Sequence, residues 1–132
     1  AVQAIERIVY VYPPHQQHQA RVQLSAALLG VVSQRLLPRY EGKGRIAAFE
    51  LLVANPAIRN IIRENKMHQA SSIMEASRAI GMITMDRALQ HLYDAEKINY
   101  EDVLRYVLNP KSVPPRPEDA ALAEAAAAPP QA

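Results

Sequence analysis

The sequence predicts a mixed α/β fold, mostly helical, in which a β-hairpin is followed by a small helical bundle. Three observations carry this. Apolar residues recur at helical spacing in the first dozen positions, two strand-like runs flank the glycine-rich Tyr40–Gly44, and helix-start signals recur from Asn55 onward. With 132 residues, 49% of them apolar, the chain suits one domain with a buried core.

In chain order, Val2, Ile5, Ile8, Val9 and Tyr12 form the apolar stripe of a first helix, which Pro13-Pro14 ends because proline cannot donate to the helical ladder. His15 to Leu29 has helix-forming composition without a clean period, so a helix is expected there and a strand from about Gly30. Val31-Val32 and Leu36-Leu37 on one side, and Ile46 to Val53 on the other, flank Tyr40-Glu41-Gly42-Lys43-Gly44, whose glycines supply the positive φ of a turn. The second strand is apolar at both parities, which predicts that both its faces are covered. Asn55 reads as an N-cap with Pro56 at the first helical position. Ser72 with Glu75 has the spacing of a capping box, Thr84 precedes Met85 to Leu89, Asn99 with Asp102 opens Tyr100 to Leu108, and Gly81 closes a helix. Beyond Asn109 the composition turns to proline and alanine, and a disordered tail over 110–132 is expected.

Composition excludes several functions. With no cysteine there is no disulfide framework, thiol nucleophile or Cys-ligated metal, and the longest apolar run, Ala26 to Val32, falls far short of the ~20 residues of a membrane span. The net charge of +2 argues for neither nucleic acid nor membrane. Gly42-Lys43-Gly44 lacks the preceding glycine and following Ser/Thr of a phosphate loop and is followed by Arg45 and a strand. His15 and His18 have no acidic or Cys neighbour downstream that would complete a metal site, and they read as solvated helix-start residues. Ala76 to Leu92 resembles a helix-turn-helix, yet its second helix carries Asp86, Asp94 and Glu96 against Arg87, which would repel phosphate. Ile73, Met74, Ile80, Met82, Ile83 and Met85 read as core filler. The absence of an initiator Met, with Ala1 to Tyr12 already patterned as a packed element, reads as a fragment of a longer protein.

The informative segment is Ala57-Ile58-Arg59-Asn60-Ile61-Ile62-Arg63-Glu64. As a helix it places Ala57, Ile58, Ile61 and Ile62 on an apolar stripe and Arg59, Asn60, Arg63 and Glu64 on the other side. Arg59 and Arg63 lie four apart, where like charges cost ~0.2–0.5 kcal/mol unless an anionic partner offsets them. Arg21 to Lys66 holds eight cations and three anions, whereas Met67 to Ala132 holds six and nine. Such a two-ended chain suits head-to-tail contact between copies, and charge alone fits solvated faces of a helical domain equally well.

This octapeptide is similar to the signature in the C-terminal part of PilT-type retraction ATPases of type IV pili, differing by an Ile for a Leu. The flanks resemble that family in order: Glu6-Arg7-Ile8-Val9 with Tyr12-Pro13-Pro14 and Gln16-Gln17, Arg21 to Ser25, Ser33 to Pro38, Gly42 to Arg45, Asn55-Pro56, His68-Gln69, and Gly81-Met82 with Thr84-Met85-Asp86. The resemblance runs from Ala1 to about Asn109. Related assembly and secretion ATPases carry a four-cysteine zinc insertion, so the lack of cysteine favours the retraction branch, and the octapeptide favours it over a PilU-like paralogue. Tyr10 and Tyr12 depart from the Asp and Phe usual in the family.

The resemblance implies the C-terminal fragment of a RecA-like P-loop ATPase of the secretion-ATPase superfamily, a hexameric motor that hydrolyses ATP with magnesium to retract the pilus. It assigns 1–54 to the end of the ATPase core, with some of Gln34 to Arg39 near the nucleotide, 55–109 to a C-terminal helical subdomain, and 110–132 to the tail. The phosphate-binding loop, magnesium-site acids and catalytic boxes would lie upstream of Ala1. No residue here is then catalytic, no metal ligand is present, ATP and Mg belong to the parent protein, and Ala57 to Glu64 is a coupling motif. The implied partners are neighbouring subunits of a homo-hexamer and the pilus machinery at the inner membrane, without nucleic acid, and the implied location is cytoplasmic. Alternatives are a non-enzymatic helical interaction or DNA-binding module built on Ala76 to Leu92, and a standalone oligomerisation domain.

Overall fold

A computed structural model describes residues 1–128. Two helices come first, α1 (Val2–Tyr10) and α2 (Pro14–Ala27), then an antiparallel hairpin of β1 (Gly30–Pro38) and β2 (Arg45–Val53). Helices α3 (Pro56–Arg63), α4 (Ala70–Ala76), α5 (Met85–Asp94), α6 (Tyr100–Tyr106) and α7 (Ala120–Ala127) follow, with short 3-10 turns at Met67–Gln69, Arg78–Ile80, Pro110–Ser112 and Pro117–Asp119. None of the described helices is long and apolar enough to cross a membrane.

The chain divides into two compact units that share the hairpin rather than separating at residues 54 and 109. The first comprises Ala1–Ser33 and Phe49–Thr84; the second comprises Gln34–Ala48 and the chain from Met85 onward. The core of the first unit gathers Ile5 from α1, Leu52 from β2, Ile58, Ile61 and Ile62 from α3, Met67, Ala70 and Met74 from the next turn and α4, and Met82. Leu24 and Leu28 of α2 and Val31 of β1 pack against it. Leu51 and Ile83 exchange backbone hydrogen bonds of 2.9 and 3.0 Å in an isolated antiparallel bridge. Gly30 is required where β1 begins, since a Cβ there would sit 2.8 Å from the Leu52 carbonyl oxygen. In the second unit Leu37, Ala48, Leu89, Tyr93, Ile98, Tyr100, Val103 and Val113 are buried.

Local chemistry sets most boundaries as expected. Gly42 and Gly44 both adopt φ 77° in the hairpin turn, and Gly81 ends the Arg78–Ile80 turn at φ 94°. Asn55 caps α3, its Oδ1 accepting the Ile58 N–H at 2.9 Å, with Pro56 at the first helical position. Met74, Met82 and Met85 are core residues, although Ile80 is 55% exposed.

Four expectations require correction. Ser72 lies inside α4 and makes no capping bond at its start; Glu75 instead accepts the Thr84 hydroxyl at 2.8 Å. Asn99 precedes α6 without a side-chain capping bond. The faces of β2 are covered unequally: Ala48 and Leu52 are buried on one, while on the other Phe49 is 49% exposed and Leu51 and Val53 are half-buried. The tail is structured through residue 128, because Val113 is fully buried, Tyr93 and Tyr100 supply hydrogen-bond partners to it, and α7 follows. Its last four positions, 129–132, lie outside the described residues.

Candidate functional site

The octapeptide forms α3 together with Pro56 and extends one residue past it. The helix is amphipathic as its spacing predicts: Ile58, Ile61 and Ile62 retain 0, 3 and 1% of their surface. Burying three isoleucines at ~1.5–3 kcal/mol each fixes the rotation of α3 about its axis. Ala57, expected on the same stripe, is exposed, because the three larger side chains define the buried arc and Ala57 falls at its edge. Two locks hold the ends. Asn55 closes the N-terminus, its Nδ2 donating to Ser77 Oγ at 3.4 Å, and Asn65 closes the C-terminus in the left-handed region at φ 58°, where Lys66 N–H reaches the Ile61 carbonyl at 2.8 Å.

The two arginines, equivalent in sequence, have different surroundings. The Arg59 guanidinium donates to the carbonyls of Ser25 and of Ala26, the latter at 3.1 Å. These are orphan acceptors in the last turn of α2, a helix with no basic residue of its own there. Arg59 is thus the C-terminal charge cap of α2, donated from 33 residues away. The charge that offsets it is the partial negative end of α2 in the same chain. Arg63 is exposed and donates to Asn60 Oδ1 one turn back at 3.3 Å. Glu64 is exposed beside Lys66 at 2.8 Å, whose hydrogen bond and charge hold its carboxyl below the usual carboxylate range. The outward edge of α3 is therefore Asn60, Arg63 and Glu64, polar and cationic at its centre.

Elsewhere in the first unit, a narrow cleft beside the end of α3 is lined by Ile5, Glu6, Val9, Tyr10, Arg21, Ile62, Asn65 and Met67. Its walls are mainly apolar. In the second unit the Gln34–Arg39 stretch places Arg35 over the Tyr106 ring at 5.3 Å and Arg39 Nε against the Arg45 carbonyl at 3.3 Å, so both guanidinium groups are engaged by the chain itself. Asp86 at the start of α5 accepts the N–H groups of Leu108 and Asn109 at 2.8 and 3.0 Å and the Ser112 hydroxyl at 3.0 Å. This acidic anchor sits where a DNA-reading helix would present cations.

Among the described residues no three His, Cys, Asp or Glu converge as ligands, and the Gly42-Lys43-Gly44 turn opens a strand, not a helix whose amides could cradle phosphate. His15 and His18 are exposed on α2. Sequence reasoning found α3 but missed the distinct role of Arg59 and the capping by Asn65. An Asn directly after an amphipathic run ending in Arg-Glu was the available signal for the latter.

No protein-family model matches the chain. Among curated proteins it is 42% identical over 113 residues to the twitching motility protein of Neisseria gonorrhoeae, covering 86% of this chain and 30% of that protein. It is 39% identical over 106 residues to the type IV pilus ATPase PilU of Pseudomonas aeruginosa, covering 80% and 28%. Among solved structures it matches a pilus retraction motor PilT with bound ADP at a TM-score of 0.73 and 45% identity, over 84% of this chain and 30% of that one. The chain thus spans about a third of the length of the relatives it matches. In sequence and fold the chain is similar to the C-terminal part of PilT-type ATPases of type IV pili.

Proposed function

We propose that these residues are the force-transmitting end of an ATP-driven motor for type IV pilus retraction, and that Ala57 to Glu64 couples nucleotide turnover to movement without performing hydrolysis. One observation carries this reading. Helix α3 is seated by three buried isoleucines and closed at both ends, and it presents Asn60, Arg63 and Glu64 outward as an exposed polar edge. A rigid helix with an exposed polar edge can transmit displacement and bind a moving surface. It cannot by itself position a phosphoryl group.

Within that assignment the residues divide by role. Arg59 positions α3 against α2, so a shift of α2 is carried to the octapeptide by two hydrogen bonds to one guanidinium. Arg63 and Asn60 form the contact edge. ATP and magnesium belong to parts of the whole protein other than these residues, and the motor works as a ring of like subunits, cytoplasmic and peripheral to the inner membrane through the pilus machinery. The similarity to proteins named for twitching motility and pilus retraction supports the assignment.

The test is made in the whole protein. Replacing Arg59 and Arg63 together should impair pilus retraction more than ATP turnover. Equal loss of both activities would reject the coupling role.

A further inference from the structure

The second unit carries a feature beyond the family resemblance. Residues 110–119 (Pro-Lys-Ser-Val-Pro-Pro-Arg-Pro-Glu-Asp) do not trail away from α6 but lie against a tyrosine-rich face of α5 and α6. Val113 is fully buried, and the Tyr100 hydroxyl donates to its carbonyl at 3.1 Å. Arg116 has extended dihedrals, φ −70° and ψ 163°, and its guanidinium stacks 4.2 Å from the centre of the Tyr93 ring while donating to the Tyr93 carbonyl. Its backbone N–H donates to the Tyr93 hydroxyl at 2.8 Å, and that hydroxyl donates onward to Asp119 at 2.6 Å. Glu118 at 3.7 Å and Glu96 at 4.0 Å flank the same guanidinium. Beside this segment lies a polar pocket lined by Tyr40, Ile98, Asn99 and Glu118 together with the two tyrosines.

These are the elements by which aromatic grooves hold polyproline segments: paired rings, 5.2 Å apart between centres here, a slot for one apolar side chain, and acidic groups around one arginine. We propose that the Tyr93–Tyr100 face is a binding site for an extended, proline-rich, arginine-bearing peptide, and that the chain's own Val113–Pro117 is its resident occupant, held in cis. The tether from α6 to Val113 is short, so the occupant is present at an effective concentration on the order of millimolar and excludes competitors until it is loosened.

The probe is a fluorescent synthetic peptide spanning Asn109 to Asp119, titrated into the unaltered chain and into the Arg116→Ala chain. The released variant should bind the peptide at least ~10-fold more tightly than the unaltered chain, and a peptide in which the arginine is alanine should lose about that factor. Equal binding by both chains, or by both peptides, overturns the proposal. Should the variant fold poorly, hydrogen exchange on the unaltered chain decides. An excess of peptide should accelerate exchange at Val113, Arg116 and Asp119 while leaving α3 unchanged, and peptide binding that leaves those amides untouched refutes the site. Protection of residues 110–119 that appears only in a concentration-dependent dimer refutes the cis assignment.

Discussion

The sharpest consequence of the α3 geometry is that Arg59 and Arg63, four residues apart on one helix, should behave as different kinds of residue. Arg59→Ala removes two hydrogen bonds from a charged donor to the carbonyl end of α2. Such bonds contribute roughly 1.5–3 kcal/mol when well enclosed, and the favourable interaction of a cation with a helix C-terminus adds about 0.3–1 kcal/mol. Arg59 is half-buried, so the expected loss is at the lower end, about 1.5–2 kcal/mol. For a chain of this length that corresponds to a fall in Tm of roughly 5–8 °C. Arg63→Ala removes one exposed 3.3 Å contact and should cost less than about 0.5 kcal/mol. Arg59→Lys keeps the charge but loses the two-pronged donor, and should recover about half of the loss. Urea denaturation of the three variants, read at equal m-values, measures all of this. If Arg63→Ala costs as much as Arg59→Ala, or Arg59→Ala costs nothing, the reasoning fails.

Other expectations follow from single observations. Asn55→Ala removes the α3 cap and should destabilise by about 1 kcal/mol in the same denaturation assay. Ile62→Ala, at 1% exposure in the core around α3, should cost about 2–5 kcal/mol and loosen exchange protection across α2 and α3 together. Burial, and then its hydrogen bond to Asp119, push the Tyr93 hydroxyl up from 10.0 to about 12. The folded state therefore holds this proton more tightly than the unfolded chain does. Its contribution is whole below pH 10 and is lost as pH rises toward 12, a decline that Tyr93→Phe should reduce in an alkaline titration of stability, with burial of Tyr100 supplying the remainder. The isolated chain should neither bind nor hydrolyse ATP with magnesium measurably, and turnover by the purified chain would overturn the proposed division between coupling and catalysis.

What could be read from the sequence was decided by neighbours along the chain. Pro13-Pro14, Gly42 and Gly44, Asn55-Pro56 and Gly81 each constrain their own backbone, and each marks a boundary where its chemistry predicts. The isoleucines of α3 were legible for the same reason, since a 3.6-residue period is local. The misreadings arose where a side chain found a distant partner. Glu75 had the spacing to cap its own helix but binds Thr84, nine residues on. Arg59 and Arg63 look like one repulsive pair until α2 folds back and offers Arg59 two carbonyls. The proline- and alanine-rich end reads as disordered by composition, yet Val113 and Arg116 are enough to dock it, because Tyr93 and Tyr100 supply rings and hydroxyls that no property of the segment itself reveals.

The central claim is that Ala57 to Glu64 transmits force and does no chemistry, and its most direct measurement is the ratio of retraction speed to ATP turnover for Arg63→Ala in the whole protein. That substitution leaves α3 seated on Ile58, Ile61 and Ile62 and clamped by Arg59. The account predicts that turnover stays near the unaltered rate while retraction slows severalfold or stops. Turnover falling in step with retraction, or neither changing, would contradict it.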